Sequence, residues 1–334
     1  MIFQGIDFHN VDNLREGEFG FCMCRVPEEV RLKLDEGARE DVSFNATGVE
    51  LRFKIKKDKA TLILHGHPEE EALTAFIYYG AFQGGWEHSM KAILMGREDT
   101  EITIPAPPNL KQLKKITEDQ HLGFNPEVVR VILPYGKVDY VGILGEVEPP
   151  APEDVPDQVL LSYGSSITHG SLGLGTPHSY VFRMAQLMHC DYYNYGYPGW
   201  AHMEPELAEY FVSRKDWTLA TIELGVNMLS YDYETELIRE RIDGFVKILA
   251  GDGRKVFMTN IFGFNNPGEQ HRAEEIRGIV RETAARYKSN RLIFTEGQKL
   301  LNQASYISAD LIHPSLEGQW EIARNWYDII RDTY

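Results

Sequence analysis

The stretch Gly145-Glu146-Val147-Glu148-Pro149-Pro150-Ala151-Pro152-Glu153-Asp154-Val155-Pro156-Asp157 separates two lengths of chain with different hydrophobic periods. It carries four prolines and five acidic residues and has no periodic apolar face, so its core, 149–157, reads as an extended linker. On the amino-terminal side the dominant period is two. Val49, Leu51, Phe53 and Ile55 alternate with Glu50, Arg52, Lys54 and Lys56, the pattern of a half-buried antiparallel strand. Further short strands are expected at 19–26, 60–64, 76–82, 101–104, 128–133 and 138–144, split by turn formers such as Lys57-Asp58-Lys59 and Pro134-Tyr135-Gly136-Lys137. That spacing predicts an all-β sandwich, jelly-roll-like, over 1–148.

Beyond the linker, apolar runs alternate with amphipathic helices. Strands are expected at 159–163, 192–195, 219–224, 255–260 and 292–295, each short and continuous as buried parallel strands are. Ile238, Ile242, Phe245 and Leu249 form one helical stripe; Ile276, Val280, Ala284 and Tyr287 form a second, and Tyr180, Met184 and Leu187 a third. Residues 158–334 therefore read as an α/β doubly wound domain with a flavodoxin-like parallel sheet of about five strands. In such sheets ligands gather beyond the carboxyl ends of the strands.

With 334 residues, 43% of them apolar, the chain can bury two compact cores. Its net charge of −16 repels phosphate backbones and anionic lipid, so neither nucleic acid nor membrane is an expected partner. The start, MIFQGIDFHNVDNLREGEFG, lacks a basic segment leading into an apolar run, and no stretch approaches a membrane span, so the protein is expected to be soluble and cytoplasmic. Cys22, Cys24 and Cys190 are too few for a disulfide framework, and Cys22 with Cys24 reads as strand packing rather than a metal pair. Homo-oligomerisation is left open by the sequence.

The residues just past the strands carry the chemistry. Gly164-Ser165-Ser166-Ile167-Thr168-His169-Gly170 places hydroxyls at the tip of the first parallel strand, and a serine there becomes a nucleophile only beside an aligned base. Ala309-Asp310-Leu311-Ile312-His313-Pro314-Ser315 supplies one: His313 as base, with Asp310 three residues earlier able to accept the other imidazole N–H. Pro314 restricts His313 to extended geometry, and Ser315 can cap the last helix. Donors for a developing oxyanion are offered by the backbone N–H of Ser166, the Gly199 N–H in Asn194-Tyr195-Gly196-Tyr197-Pro198-Gly199-Trp200, and the Asn227 amide in Glu223-Leu224-Gly225-Val226-Asn227.

These four blocks, GSSITHG, NYGYPG, GVN and DLIHP, occur in order over the second half of the chain, which resembles the SGNH hydrolase superfamily of GDSL-type esterases and lipases. The resemblance implies that Ser166 is the nucleophile, that Gly199 and Asn227 complete the oxyanion hole, and that the catalytic pair needs no metal or other cofactor. The first half is similar in pattern to the β-sandwich that precedes some carbohydrate esterases and acyltransferases of this superfamily. One position departs: the family's Gly-Asp-Ser is Gly-Ser165-Ser166 here.

The expected activity is hydrolysis of a short-chain acyl ester, by family analogy on an acetylated carbohydrate. The alternatives are an acyltransferase using the same residues, or a carbohydrate-binding protein with a dead hydrolase attached. His169 is read as a rim or substrate contact rather than a rival base, since no nearby acid orients it. Trp200 either walls the acyl or alcohol pocket or packs as a core aromatic. His65 and His67 read as surface histidines without a third ligand, and Gly84-Gly85-Trp86 as a glycine-kinked strand with a core tryptophan. Gly170 to Gly175 lacks the spacing and the lysine of a nucleotide loop.

Overall fold

A computed structural model of the protein describes residues 1–68, 73–84, 93–107, 109–229 and 233–333. Gly85 and Trp86 lie outside the described residues. The amino-terminal half is built on two antiparallel sheets. One runs Ile2–Phe3, Ile6–His9, Glu50–Ile55, Val128–Ile132, Leu73–Tyr79, Phe82–Gln83, with Val147–Glu148 and Ile93–Met95 as side branches. The other runs Asp99–Pro105, Lys59–His67, Lys137–Leu144, Phe21–Cys24, Asn13–Glu16. Phe8, Leu51, Phe53, Leu62, Leu64, Ile102, Val131 and Tyr140 fill the space between them, which makes this half a β-sandwich.

It is not all β. Short helices occupy Glu28–Arg31 and Glu36–Glu40, and an eleven-residue helix spans Leu110–Gln120. The last buries none of its residues, so its apolar spacing at Leu110, Leu113 and Ile116 has no core to advertise. The segment between Glu148 and Val159 is also not a free extended linker. It turns at Pro152–Asp154, where the buried Asp154 carboxylate accepts hydrogen bonds from Asn125 Nδ2 at 2.6 Å and Ala151 N at 2.9 Å and meets Lys54 Nζ at 2.8 Å.

The second half is a parallel sheet in the order Asp191–Gly196, Val159–Gly164, Leu219–Glu223, Lys255–Thr259, Leu292–Thr295, so chain order 2-1-3-4-5. Ile238, Ile242, Phe245 and Leu249, with Ile276 and Val280, cover one face; Tyr180 and Met184, with Ile322 and Trp326 of the final helix, cover the other. The order reverses at Val159–Gly164, and the crevice beyond the carboxyl ends of this strand and Leu219–Glu223 is the place for a ligand. No helix among the described residues is long and apolar enough to cross a membrane.

The two halves share a polar seam. Glu50 and Arg52, on the face of their strand expected to meet water, are fully buried, because that face packs on the parallel sheet. Arg52 clasps Asp191 through two bonds of 2.6 and 2.7 Å and reaches Glu50 at 2.8 Å, while Arg130 holds Glu50 through two bonds of 2.7 Å. Burial pushes the Asp191 carboxyl upward, but Arg52 and His9 outweigh it and hold the group below the usual carboxylate range. Three amino-terminal side chains also reach the open edge of Asp191–Gly196. His9 Nε2 donates to the Tyr192 carbonyl at 2.6 Å, Asn10 Nδ2 to that of Asn194 at 3.1 Å, and Arg25 to those of Asn194 and Gly196 at 2.9 and 3.0 Å.

Truncating one member of the seam should strand its partner. Asp191→Ala is expected to cost about 3–5 kcal/mol in denaturant unfolding, because the two terminal nitrogens of the buried Arg52 guanidinium lose their acceptor, while Arg52→Met combined with Asp191→Leu recovers most of it. An Asp191→Ala loss near zero would show that the seam does not hold the halves together. Since the folded state depresses the Asp191 pKa, its contribution is present above the ordinary carboxylate range and is lost as pH falls below it.

Candidate active site

Three strand ends and one stiff loop converge on a cavity of about 440 Å³ lined by Ser166, Gly199, Asn227, Asp310 and His313 among others. Ser166 opens the one-turn helix Ser166–His169 directly after Val159–Gly164, and Ser165 caps that turn, accepting from Ile167 N at 3.1 Å. Ser166 Oγ lies 2.7 Å from His313 Nε2, and His313 Nδ1 lies 2.6 Å from Asp310 Oδ2. An acidic oxygen opposite Nδ1 fixes the tautomer that carries its proton there, leaving Nε2 as the acceptor for the serine hydroxyl.

The loop that carries Asp310 and His313 is tied in several ways. Ser308 N donates to the His313 carbonyl, Ser315 N donates to that of Tyr306, and the Leu311 carbonyl accepts from Asn265 N and Asn266 N. The second carboxylate oxygen of Asp310 accepts from Ser308 Oγ at 2.5 Å and from the backbone N–H groups of Ile312 and His313, each at 2.9 Å. Partial burial pushes this carboxyl up, but the hydrogen bonds from Ser308, Ile312 and His313 prevail and hold it far below the usual carboxylate range. Asp310 is thus a permanent anion facing the imidazole.

Two further groups face the cavity. Gly225 has φ +105°, a turn that a side chain resists, and it brings Asn227 round to the mouth of the crevice. Asn227 Oδ1 accepts from Ala201 N at 3.0 Å, which fixes the side-chain orientation and points the amide N–H₂ away from that backbone. Gly199, with φ +73°, lines the cavity with no side chain to obstruct an incoming group. A hydroxyl activated by an imidazole, with donors from two neighbouring strand ends, can attack an acyl carbon and receive the negative charge that develops on its oxygen.

His169 does not belong to this cavity. It is only 3% exposed, and its Nε2 is 2.7 Å from Thr47 Oγ1 and 3.0 Å from Asn45 Oδ1, both in the amino-terminal half. Burial, followed by the nearby Arg25 charge, drives its pKa well below the ordinary histidine value, so it is a neutral ring that locks the two halves together. Its ring is turned to Thr47 and Asn45 rather than into the cavity, which sequence proximity alone did not reveal. Trp200 is half-buried against Gly37 of the helix Glu36–Glu40, where a methyl group on that glycine would come within 2.0 Å of the indole, and it does not line the cavity.

The residue that sequence reading passed over is Glu223. It ends a buried apolar strand, and a carboxylate in that setting is itself a signal. It accepts from Ser165 N at 2.8 Å, from Ser165 Oγ at 2.8 and 3.0 Å, and from Thr168 Oγ1 at 2.9 Å. Burial raises its pKa above the usual value, and these donors partly counter that. The carboxylate missing at position 165 is therefore supplied across the sheet, with Ser165 as its donor. Ser165→Asp should set two acids against one another and destabilise the fold by about 1–3 kcal/mol, measured by thermal unfolding, through loss of that donor. Adding Glu223→Gln should restore most of the loss; a Ser165→Asp protein as stable as the parent would refute the pairing.

Residues 162–320 match the family model for GDSL-like Lipase/Acylhydrolase. No curated protein is significantly similar to the chain. Among solved structures, a salicylyl-acyltransferase from a tetracycline biosynthetic pathway superposes with a TM-score of 0.77 at 13% identity, over 98% of this chain and 96% of that one. A family two carbohydrate esterase from Cellvibrio japonicus superposes with a TM-score of 0.64 at 13% identity, over 99% and 96%. An acetyl xylan esterase from the rumen bacterium Butyrivibrio proteoclasticus does so with a TM-score of 0.57 at 13% identity, over 87% and 91%. At such identities the likeness is one of fold, and it extends through the amino-terminal half. With its order-reversing parallel sheet and its matching motif blocks, the second half of the chain carries a GDSL-like lipase/acylhydrolase domain over 162–320, preceded by an antiparallel β-sandwich.

Proposed function

We propose that the protein is a serine esterase that cleaves a short-chain acyl ester, with an acetylated carbohydrate as the substrate class. The observation that carries this reading is the continuous chain Ser166 Oγ, His313 Nε2, His313 Nδ1 and Asp310 Oδ2, with links of 2.7 and 2.6 Å at the carboxyl ends of the strands. His313 takes the Ser166 proton as Oγ bonds to the ester carbonyl carbon. The oxyanion is received by the N–H groups of Ser166 and Gly199 and the Asn227 amide. The imidazolium returns the proton to the departing alcohol, leaving an acyl-serine, and water activated by the same imidazole then releases the carboxylic acid. The carbohydrate part rests on the esterases that share the two-part fold.

A second reading, transfer of the acyl group to an acceptor alcohol in place of water, is favoured by the rim of the cavity. Leu172 lines it and is 51% exposed; Leu174, two residues past Leu172, is 73% exposed, and Leu311, between the lining residues Asp310 and Ile312, is 43% exposed. All have left-handed backbones, with φ of +63°, +61° and +68°, a strain that branched side chains seldom sustain without a tertiary or functional reason. Such a rim suits an apolar acyl or acceptor group, and the acyltransferase of like fold handles a salicylyl group by its name.

Labelling with a serine-directed phosphonate followed by mass spectrometry should place the adduct on Ser166. Ser166→Ala should lose activity on p-nitrophenyl acetate by at least about 10⁴-fold, and Asn227→Ala should lower kcat by about 10²–10³-fold with little change in KM. A label elsewhere, or a Ser166→Ala enzyme with full activity, overturns the mechanism. Because its hydrogen bonds hold the Asp310 carboxyl far below the usual carboxylate range, kcat/KM measured across that range should show no ionisation that Asp310→Asn removes. Product analysis with sugar and aromatic alcohols present separates the readings, since transfer yields a new ester and hydrolysis only the acid.

A further inference from the structure

Away from the catalytic cavity, Asp35, His202 and Glu204 bring one ligand atom each to within 4.8 Å of one another. Asp35 precedes the helix Glu36–Glu40 in the amino-terminal half, and His202 and Glu204 follow the Gly199 loop. Asp35 Oδ2 is hydrogen-bonded to His202 Nδ1 at 2.9 Å, so these two side chains face one another across the junction of the two halves. Glu204 decides how the cluster is read. It is 0% exposed, and both of its carboxylate oxygens are buried without a hydrogen-bond partner among the described residues. A charge cannot persist in that setting without a counterion. Protonation is one escape, and burial pushes this carboxyl up to about 7; its own backbone amide tempers the shift without making a bond of normal geometry. A cation is the other.

The surroundings favour the cation. Two carboxylates and a neutral imidazole sum to the charge a divalent ion neutralises. The positive group nearby, Arg241, approaches the far oxygen of Asp35, Oδ1, at 3.4 Å and so sits as an outer partner. Met203, between the two carboxyl-terminal ligands, is held at φ +55°, which is strained for a non-glycine residue. We propose that Asp35, His202 and Glu204 form a binding site for a divalent transition-metal ion of the zinc type. One imidazole nitrogen with two carboxylates suits such ions, whereas Mg²⁺ and Ca²⁺ call for an all-oxygen shell with more ligands. The ion ties the amino-terminal half to the segment that carries Gly199, so its role is to hold that loop rather than to enter the chemistry.

The test uses the full chain after EDTA treatment and dialysis. Zn²⁺ should bind in one equivalent by calorimetry and raise the melting temperature, while Mg²⁺ at the same concentration should do neither. Glu204→Gln, which keeps the shape and removes the charge, should weaken Zn²⁺ binding by more than about 100-fold, beyond the effect of losing an outer-shell partner. Asp35→Asn serves as a second variant should Glu204→Gln not fold. His65→Ala combined with His67→Ala should leave the equivalent of Zn²⁺ in place. The proposal is overturned if no stoichiometric Zn²⁺ is taken up, if the folded Glu204 or Asp35 variant binds as the parent does, or if the His65/His67 variant abolishes binding.

Discussion

The open edge of the strand Asp191–Gly196 is the constraint on which the rest of the molecule depends. As the first strand in the sheet order, it has a neighbour on one side only, so the backbone groups of every second residue point away from the sheet. Here that edge is sealed by side chains. The outward carbonyls of Tyr192, Asn194 and Gly196 accept from His9, Asn10 and Arg25, and the outward amides of Tyr192 and Gly196 donate to Asp191 and Asn194 side chains. Leaving one such group buried and unpaired costs about 1–3 kcal/mol, so the amino-terminal half is part of the hydrolase core, not an appendage. The same strand runs on into the Gly199 loop, and His169, beside the Ser166 turn, is gripped by Thr47 and Asn45. The sandwich therefore sets the position of the site from both sides of the crevice.

Glu223 explains why the unusual Gly-Ser-Ser block can work. A carboxylate near the nucleophile turn organises it by accepting the backbone N–H of Ser165 and the hydroxyls of Ser165 and Thr168. One buried acid can be held by those donors; two side by side would repel, and one would have to take up a proton. Serine at 165 and glutamate at 223 are complementary halves of a single arrangement. Loss of the acid in the motif is a relocation of charge, and it leaves the line from Ser166 to Asp310 untouched.

The sequence disclosed what is local and repeated. Leu51 and Phe53 announce a strand by alternation, Ile238 to Leu249 a helix by spacing, and Asp310 with His313 a base and its orienter by sitting three residues apart on one loop. It concealed what depends on contacts between distant segments. Glu50 and Arg52 look like a solvated face until the parallel sheet covers them, and the proline-rich strap looks loose until Asp154 finds Asn125 and Lys54. His169 lies close to Ser166 in the chain, yet one helical turn sends its ring to the other half of the molecule. The helix Leu110–Gln120 packs none of its residues into a core, so its short apolar stripe of Leu110, Leu113 and Ile116 marks no buried face.

Two carboxylates flank the Ser166 turn, and the protein treats them in opposite ways. Asp310 is partly open to solvent and accepts from two backbone amides, a hydroxyl and the imidazole, and its proton affinity falls far below normal. Glu223 is fully enclosed and accepts from one amide and two hydroxyls, and its proton affinity rises. Both are well supplied with donors, so burial makes the difference: water still reaches Asp310 and supports its charge, while the sheet interior penalises that of Glu223. The firm negative charge therefore sits behind His313, where the proposed mechanism needs an imidazolium to be stabilised. The acid under Ser165 carries the weaker claim to charge, and its role is to shape the turn. That separation lets one crevice hold two carboxylates, one facing the imidazole and the other spent on the turn beneath Ser166.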